Sequence, residues 1–167
     1  MNDPAPIDPA VTEFSEQLAA TLAAAGFPRM AARVLMALMV TESGRATAEE
    51  LTSRLGVSAA AVSGAVRFLQ SMAIVRRHSI AGTRRHQYEL GDHPWYDATS
   101  SQGALYTQLI GLSERGLAAM PEGSAMAART AEMVDYFRFV RERIPQLSAE
   151  WLEARQKTLG EGDATSI

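Results

Sequence analysis

The stretch that most constrains what this chain can become runs from Thr47 to Leu90, TAEELTSRLGVSAAAVSGAVRFLQSMAIVRRHSIAGTRRHQYEL. Thr47 is followed three residues on by Glu50. At that spacing a hydroxyl accepts the glutamate backbone N–H while the carboxylate reaches back to the threonine N–H. The predicted helix Ala48–Leu55 carries Leu51 and Leu55 on one face, and Gly56 stands where a left-handed residue closes it. Ser58 caps a second predicted helix running to about Met72, with Val62, Val66 or Ala65, Leu69 and Met72 as its apolar stripe. Cap, helix, glycine corner, cap and helix together spell a helix-turn-helix.

The first half of the second helix is built from Ala59, Ala60, Ala61, Ser63 and Gly64. Small side chains let a helix sink into a DNA major groove, where methyls meet thymine and hydroxyls meet phosphate or base edges. Arg67 follows one turn later. The same residues would also suit tight packing on a neighbouring helix, but the capped corner before them and the basic hairpin after them favour the groove. That hairpin comprises Val75–Ile80, a turn at Ala81-Gly82-Thr83, and Arg84–Leu90. Alternation puts His86, Tyr88 and Leu90 on one face and Arg85, Gln87 and Glu89 on the other. Arg76, Arg77, Arg84 and Arg85 repel one another unless an anion lies near, and a phosphate backbone or narrow minor groove is the usual partner. The alternative is a solvated edge strand guarded by charge. The Thr47 backbone N–H region is expected to meet a phosphate.

Net charge is −3 over 167 residues, which by itself argues against a polyanionic partner. Its distribution reverses that argument. Between Arg45 and Leu90 seven arginines face three glutamates, so the acidic excess lies wholly outside the basic centre. Such a field turns the middle of the chain toward phosphate and the ends away. Lys157 is the only lysine. The chain has no cysteine, which excludes disulfides and thiolate metal sites and fits a reducing cytoplasm. No basic and apolar leader is read at the N-terminus, and no apolar run is long enough to span a bilayer.

Around this centre the periodicity predicts helices. Asp8 caps one with Pro9 in its first turn; Val11, Phe14, Leu18 and Leu22 form its stripe, and Gly26 ends it. We assign that stripe to a dimer interface. Pro28 opens a helix over Arg29–Glu42, the scaffold for the lobe, and Ser43-Gly44-Arg45-Ala46 reads as a break. Pro94 stops the hairpin strand, and Trp95 and Tyr96 pin the following corner. A helix is expected from about Ala98 to Met120, with Leu105, Leu109, Leu112 and Leu117 inward. Another is expected over Ala125–Ile144, with Met126, Met133, Phe137, Val140 and Ile144 inward. Pro145 stops it, and Ser148 caps a last helix to about Thr158, before a loose tail.

The run PRMAARVLMALMV, the helix-turn-helix and IVRRHSIAGTRRHQYEL together resemble the MarR superfamily of bacterial regulators, and within it the GbsR-like branch. The resemblance is good over Phe27 to Trp95. It implies a mainly α fold with a small β-hairpin wing, in which a winged helix-turn-helix is flanked by N- and C-terminal dimerisation helices. The corresponding domains are 1–26, 27–95 and 96–167. It implies a homodimer with recognition helices in successive major grooves and wings in the minor groove. Where many such wings carry an aspartate before paired arginines, this chain has Gly82-Thr83 before Arg84 and Arg85.

The expected function is a cytoplasmic transcriptional regulator that binds a pseudo-palindromic duplex operator, a repressor released by a small-molecule effector. The DNA-facing set is Thr47, Ser58, Ala60, Ala61, Ser63, Gly64, Arg67, Arg76, Arg77, Arg84 and Arg85. An adaptable effector pocket would draw on Met36, Met39, Trp95, Tyr96, Tyr106, Met133 and Phe137. The alternative is a winged-helix module that docks a protein and not DNA; it would show an apolar recognition face, and Phe68, expected buried, is the residue to inspect. No nucleophile elbow or phosphate loop supports an enzyme. His78, His86 and His93 lie near Asp92 and Asp97 in sequence, but two of these histidines belong to the wing, so neither metal nor cofactor is expected.

Overall fold

The computed structural model describes residues 8–80 and 85–163. The chain forms two compact units, one ending at Asp97 and the other beginning at Ala98.

In the first unit α1 (Pro9–Ala24) starts where Asp8 accepts the Ala10 N–H at 2.8 Å. It ends as predicted: Gly26 takes φ +94°, and the N–H groups of Gly26 and Phe27 close onto the carbonyls of Ala23 and Leu22. α2 (Arg29–Met39) buries seven of its eleven residues, so it is the hub against which α1, α3 and α4 pack. Leu35, Met36 and Leu38 are fully enclosed there with Leu51, Leu69 and Ile74. Each such side chain contributes about 1.5–3 kcal/mol of burial. Arg33 fastens α1 to this hub, with its guanidinium 2.9 Å from Glu16.

α3 (Ala48–Leu55) carries both halves of the predicted capping box: Glu50 N–H donates to Thr47 Oγ1 at 3.2 Å and Thr47 N–H donates to Glu50 at 2.7 Å. Gly56 takes the left-handed conformation (φ +63°), and Ser58 caps α4 (Ala59–Ser71) through the Ala61 N–H. Val62, Ala65, Val66 and Leu69 are buried, as read from the sequence, whereas Met72, expected in the same stripe, is the half-buried C-cap.

The wing is a sheet of three strands, where the sequence indicated two. β1 (Arg45–Thr47) lies in the stretch expected to be a break; it pairs antiparallel with β3 (His86–Leu90), which also pairs with β2 (Val75–Ser79). Three residues give no alternation to detect, and this pairing joins positions 44 residues apart, Arg45 opposite Glu89. As the middle strand, β3 is partly buried at every residue.

Pro94 opens α5 (Pro94–Ser100), and Trp95 is exposed. In the second unit the expected helix from Ala98 is broken at Ser101-Gln102, and α6 is Gly103–Leu117. There the Ser101 hydroxyl donates to the Ala98 carbonyl and the Gln102 N–H to that of Thr99, closing the turn. Leu105 and Leu112 are exposed and Ile110 is the buried position. α7 runs unbroken from Ala125 to Asp163, so Pro145 does not stop it and Ser148 is no cap but a buried residue inside it. Proline removes one N–H from the ladder, and the helix formers on both sides carry the remaining bonds across. The inward stripe is also rotated: Val134 is buried, whereas Met126 and Met133 are exposed. α6 packs on α7, where Tyr106 stacks on Phe137 with centroids 5.4 Å apart and Arg138 pairs with Glu114.

Candidate nucleic-acid interface

α4 presents two faces. One is the buried stripe that packs on α2 and α3. The other carries Ala60, Ser63 and Arg67, all exposed, with Ala61 and Gly64 half-buried at its border. Ser58 lies at its entrance as the cap. Phe68 is half-buried, its ring edge-on to Phe27 at 5.2 Å, so the outward face holds no large apolar side chain.

The register of the sheet sorts the basic residues. Arg76 stands opposite Glu89 and His78 opposite Gln87, so these four share one face with Arg45. On that face Glu89 accepts from Arg45 Nε at 2.7 Å, and His78 Nε2 lies 2.7 Å from its other oxygen. Arg77 stands opposite Tyr88 on the other face, and its side chain is exposed.

The expected DNA-facing set is therefore divided. Ala60, Ala61, Ser63, Gly64 and Arg67 come together on α4. Arg76 sits at the root of the wing between Asp97 at 3.5 Å and Asp92 at 3.7 Å, so the anion that offsets it belongs to the chain itself. Arg85 pairs with Glu49 at 3.2 Å, both side chains well exposed. Arg84 lies outside the described residues, as does the turn before it. The Thr47 N–H, expected on a phosphate, is already taken by Glu50, and Glu49 and Glu50 make the first turn of α3 acidic.

The sequence reading missed Glu89, Asp92 and Asp97 as ligands of the arginines. Nothing local signals them: Asp97 lies 21 residues from Arg76, and Glu89 lies 44 from Arg45. Of the effector candidates, Met36 is enclosed in the core of the first unit, and Met39 and Trp95 are exposed there with Tyr96 half-buried. Tyr106, Met133 and Phe137 belong to the second unit. Among the described residues no cluster of three or more His, Asp or Glu is placed to hold a metal, and no helix is long and apolar enough to cross a membrane.

A capped helix-turn-helix whose second helix shows a small, polar outer face, beside a three-stranded sheet carrying exposed arginines, defines a winged-helix DNA-binding transcriptional regulator. Residues 25–86 match the model of the MarR family, and residues 93–155 match that of the MmpR5-like MarR family transcriptional regulators. The HTH-type transcriptional regulator MmpR5 of Mycobacterium tuberculosis (strain ATCC 25618 / H37Rv) is 26% identical over 134 residues, which cover 80% of this chain and 81% of that protein. A crystal structure of a transcriptional regulator shares the fold with a TM-score of 0.79 at 24% identity, covering 87% of this chain and 99% of that one. Two models of MarR-type regulators thus match successive stretches of the chain, which supports a MarR-type winged-helix transcriptional regulator.

Proposed function

We propose that the protein acts in the cytoplasm as a homodimeric repressor that reads a pseudo-palindromic operator and is released by a small molecule. The carrying observation is the outward face of α4, where Ala60, Ser63, Gly64 and Arg67 leave a shallow surface beside the wing. Each α4 would enter a major groove, with half-sites about one helical turn (~34 Å) apart. Arg77, Arg84 and Arg85 supply the wing contacts, with Arg85 exchanging Glu49 for a phosphate.

Dimerisation is supported by large apolar side chains that are exposed among the described residues. Phe14 on α1 is 57% exposed, Leu112 on α6 61%, and Phe139 and Leu147 on α7 62% each, with Trp151 one turn further on. Large aromatic and leucine side chains held in water at helical spacing are what a second copy would bury. The proposed division is 1–26 and 96–167 for dimerisation and 27–95 for DNA. The effector-binding candidates are Met39, Trp95 and Tyr96 in the first unit and Tyr106, Met133 and Phe137 in the second; Met36 is dropped because that side chain is enclosed. GbsR-like kinship rests on the PRMAARVL run and on Arg84-Arg85-His86-Gln87-Tyr88.

The test is fluorescence anisotropy with a duplex taken from upstream of the protein's own gene, over a range of salt. Binding preferred over an unrelated duplex, weakening linearly in log affinity against log salt, is expected. Equal binding to both duplexes would remove the operator-reading function.

A further inference from the structure

Arg67 has a seat on α4. Its Nη1 donates to Ser63 Oγ one turn earlier at 2.9 Å, and a Cβ at Gly64 would stand 3.9 Å from its Nη2. The guanidinium therefore lies back along the helix over Ser63 and Gly64, toward the N-terminus, as helical side chains lean. A residue in the third turn thus brings its head group level with the second, nearer the end of a recognition helix that meets base edges.

The neighbour is as informative as the direction. Arg33, Arg45, Arg76 and Arg85 each face a carboxylate, and Arg54 donates to a carbonyl and the Thr41 hydroxyl. Among the described residues no carboxylate pairs with Arg67. A hydroxyl fixes the plane of the fork without neutralising it, and it occupies one N–H while leaving the rest of the donor edge available. An aimed, uncompensated, planar donor in the middle of a groove-facing surface matches the O6 and N7 acceptors of guanine. Phosphate also accepts the fork, but its oxygens can be approached from several directions, whereas the guanine edge accepts it only in the plane of the base.

Resting on the DNA-reading function proposed above, we infer that Arg67 reads a guanine in each half-site and that Ser63 is a positioning residue that aims it, over a floor kept clear by Gly64. Ser63 on this assignment acts through Arg67.

The experiment is selection from a duplex library with a randomised core of about 20 base pairs, two half-sites one turn apart. Wild type, Arg67→Lys, Ser63→Ala and Ser63→Thr are compared, all checked for native circular dichroism. Wild type should enrich a G·C pair at one fixed position per half-site. Arg67→Lys keeps the charge but loses the fork, and should cut discrimination at that position by about tenfold or more, leaving the others unchanged. Ser63→Ala should lower discrimination there by a few-fold, and Ser63→Thr, which keeps the hydroxyl, should restore it. If Arg67→Lys selects the same sites as wild type, Arg67 is a phosphate contact and the guanine assignment is overturned. If Ser63→Ala matches wild type, the positioning role is overturned. If wild type enriches no sequence, the DNA-reading function fails before this inference is reached.

Discussion

Arg54, in the last turn of α3, donates from Nη1 to the Thr41 hydroxyl just past the end of α2, at 2.6 Å, and to the Ala37 carbonyl at 2.9 Å. The Ala37 carbonyl also accepts from Thr41 Oγ1, so one arginine closes the open end of the central helix and ties the helix-turn-helix to it. A cation at a helix C-terminus is favourable for the dipole and for carbonyls that lack intrahelical partners. Arg54→Met keeps the stem and removes the donors; it should lower stability by about 1–2 kcal/mol. Urea unfolding should show a lower midpoint at an unchanged slope. Combined with Thr41→Val, the loss should be less than additive.

The α4 to β2 corner uses the closing device of α1, without its glycine. Ala73 takes φ +58°, with its N–H on the Gln70 carbonyl and the Ile74 N–H on the Leu69 carbonyl. A Cβ in the left-handed region costs roughly 1–2 kcal/mol, partly offset by the stiffer unfolded chain. Ala73→Gly should therefore stabilise by about 0.5–1 kcal/mol and raise Tm by a few degrees, whereas Ala73→Val should destabilise. An unchanged Tm in both variants would contradict the strain.

Arg76 and Arg77 are adjacent but stand on opposite faces of the wing, one flanked by Asp92 and Asp97 and the other exposed. Arg77→Ala should weaken DNA binding and reduce the salt slope by about one phosphate contact. Arg76→Ala should leave the slope nearly unchanged and lower stability by under about 1 kcal/mol, since its partners are partly solvated. The reverse order would mean that Arg76 leaves its carboxylates on DNA.

Pro145 inside α7 leaves the Arg141 carbonyl without its ladder partner. Pro145→Ala should raise stability, by up to about 3 kcal/mol if no compensating contact is lost. Thermal unfolding measured at fixed protein concentration tests this. Destabilisation would show that the proline supports packing on α7.

In the proposed homodimer, replacing Phe139 and Leu147 together by Asp should shift the protein to monomer in sedimentation equilibrium, because two buried charges would oppose association. DNA affinity should fall with it, as one recognition helix per molecule loses the linkage between half-sites. A double variant that stays dimeric would move the interface off this face of α7.

The helix-turn-helix was legible because its signals are local. Thr47 and Glu50, Gly56, and Ser58 act within one turn of themselves, and the buried stripe of α4 follows from periodicity alone. The C-terminal half was harder to read. Its helices are amphipathic on more than one side, so spacing left several possible inward stripes; the packing of α6 on α7 selected Ile110 and Val134.

Sequence alone thus determined where α1, α3 and α4 begin and end, and which small residues α4 carries, since capping and steric freedom depend on a few neighbouring atoms. Tertiary structure alone decided that Arg45–Thr47 is a strand, that α7 continues through Pro145, and which carboxylate each arginine meets. Those outcomes depend on groups brought together across tens of residues, where pairing energy is decided by the folded geometry and leaves no mark on the chain near either partner.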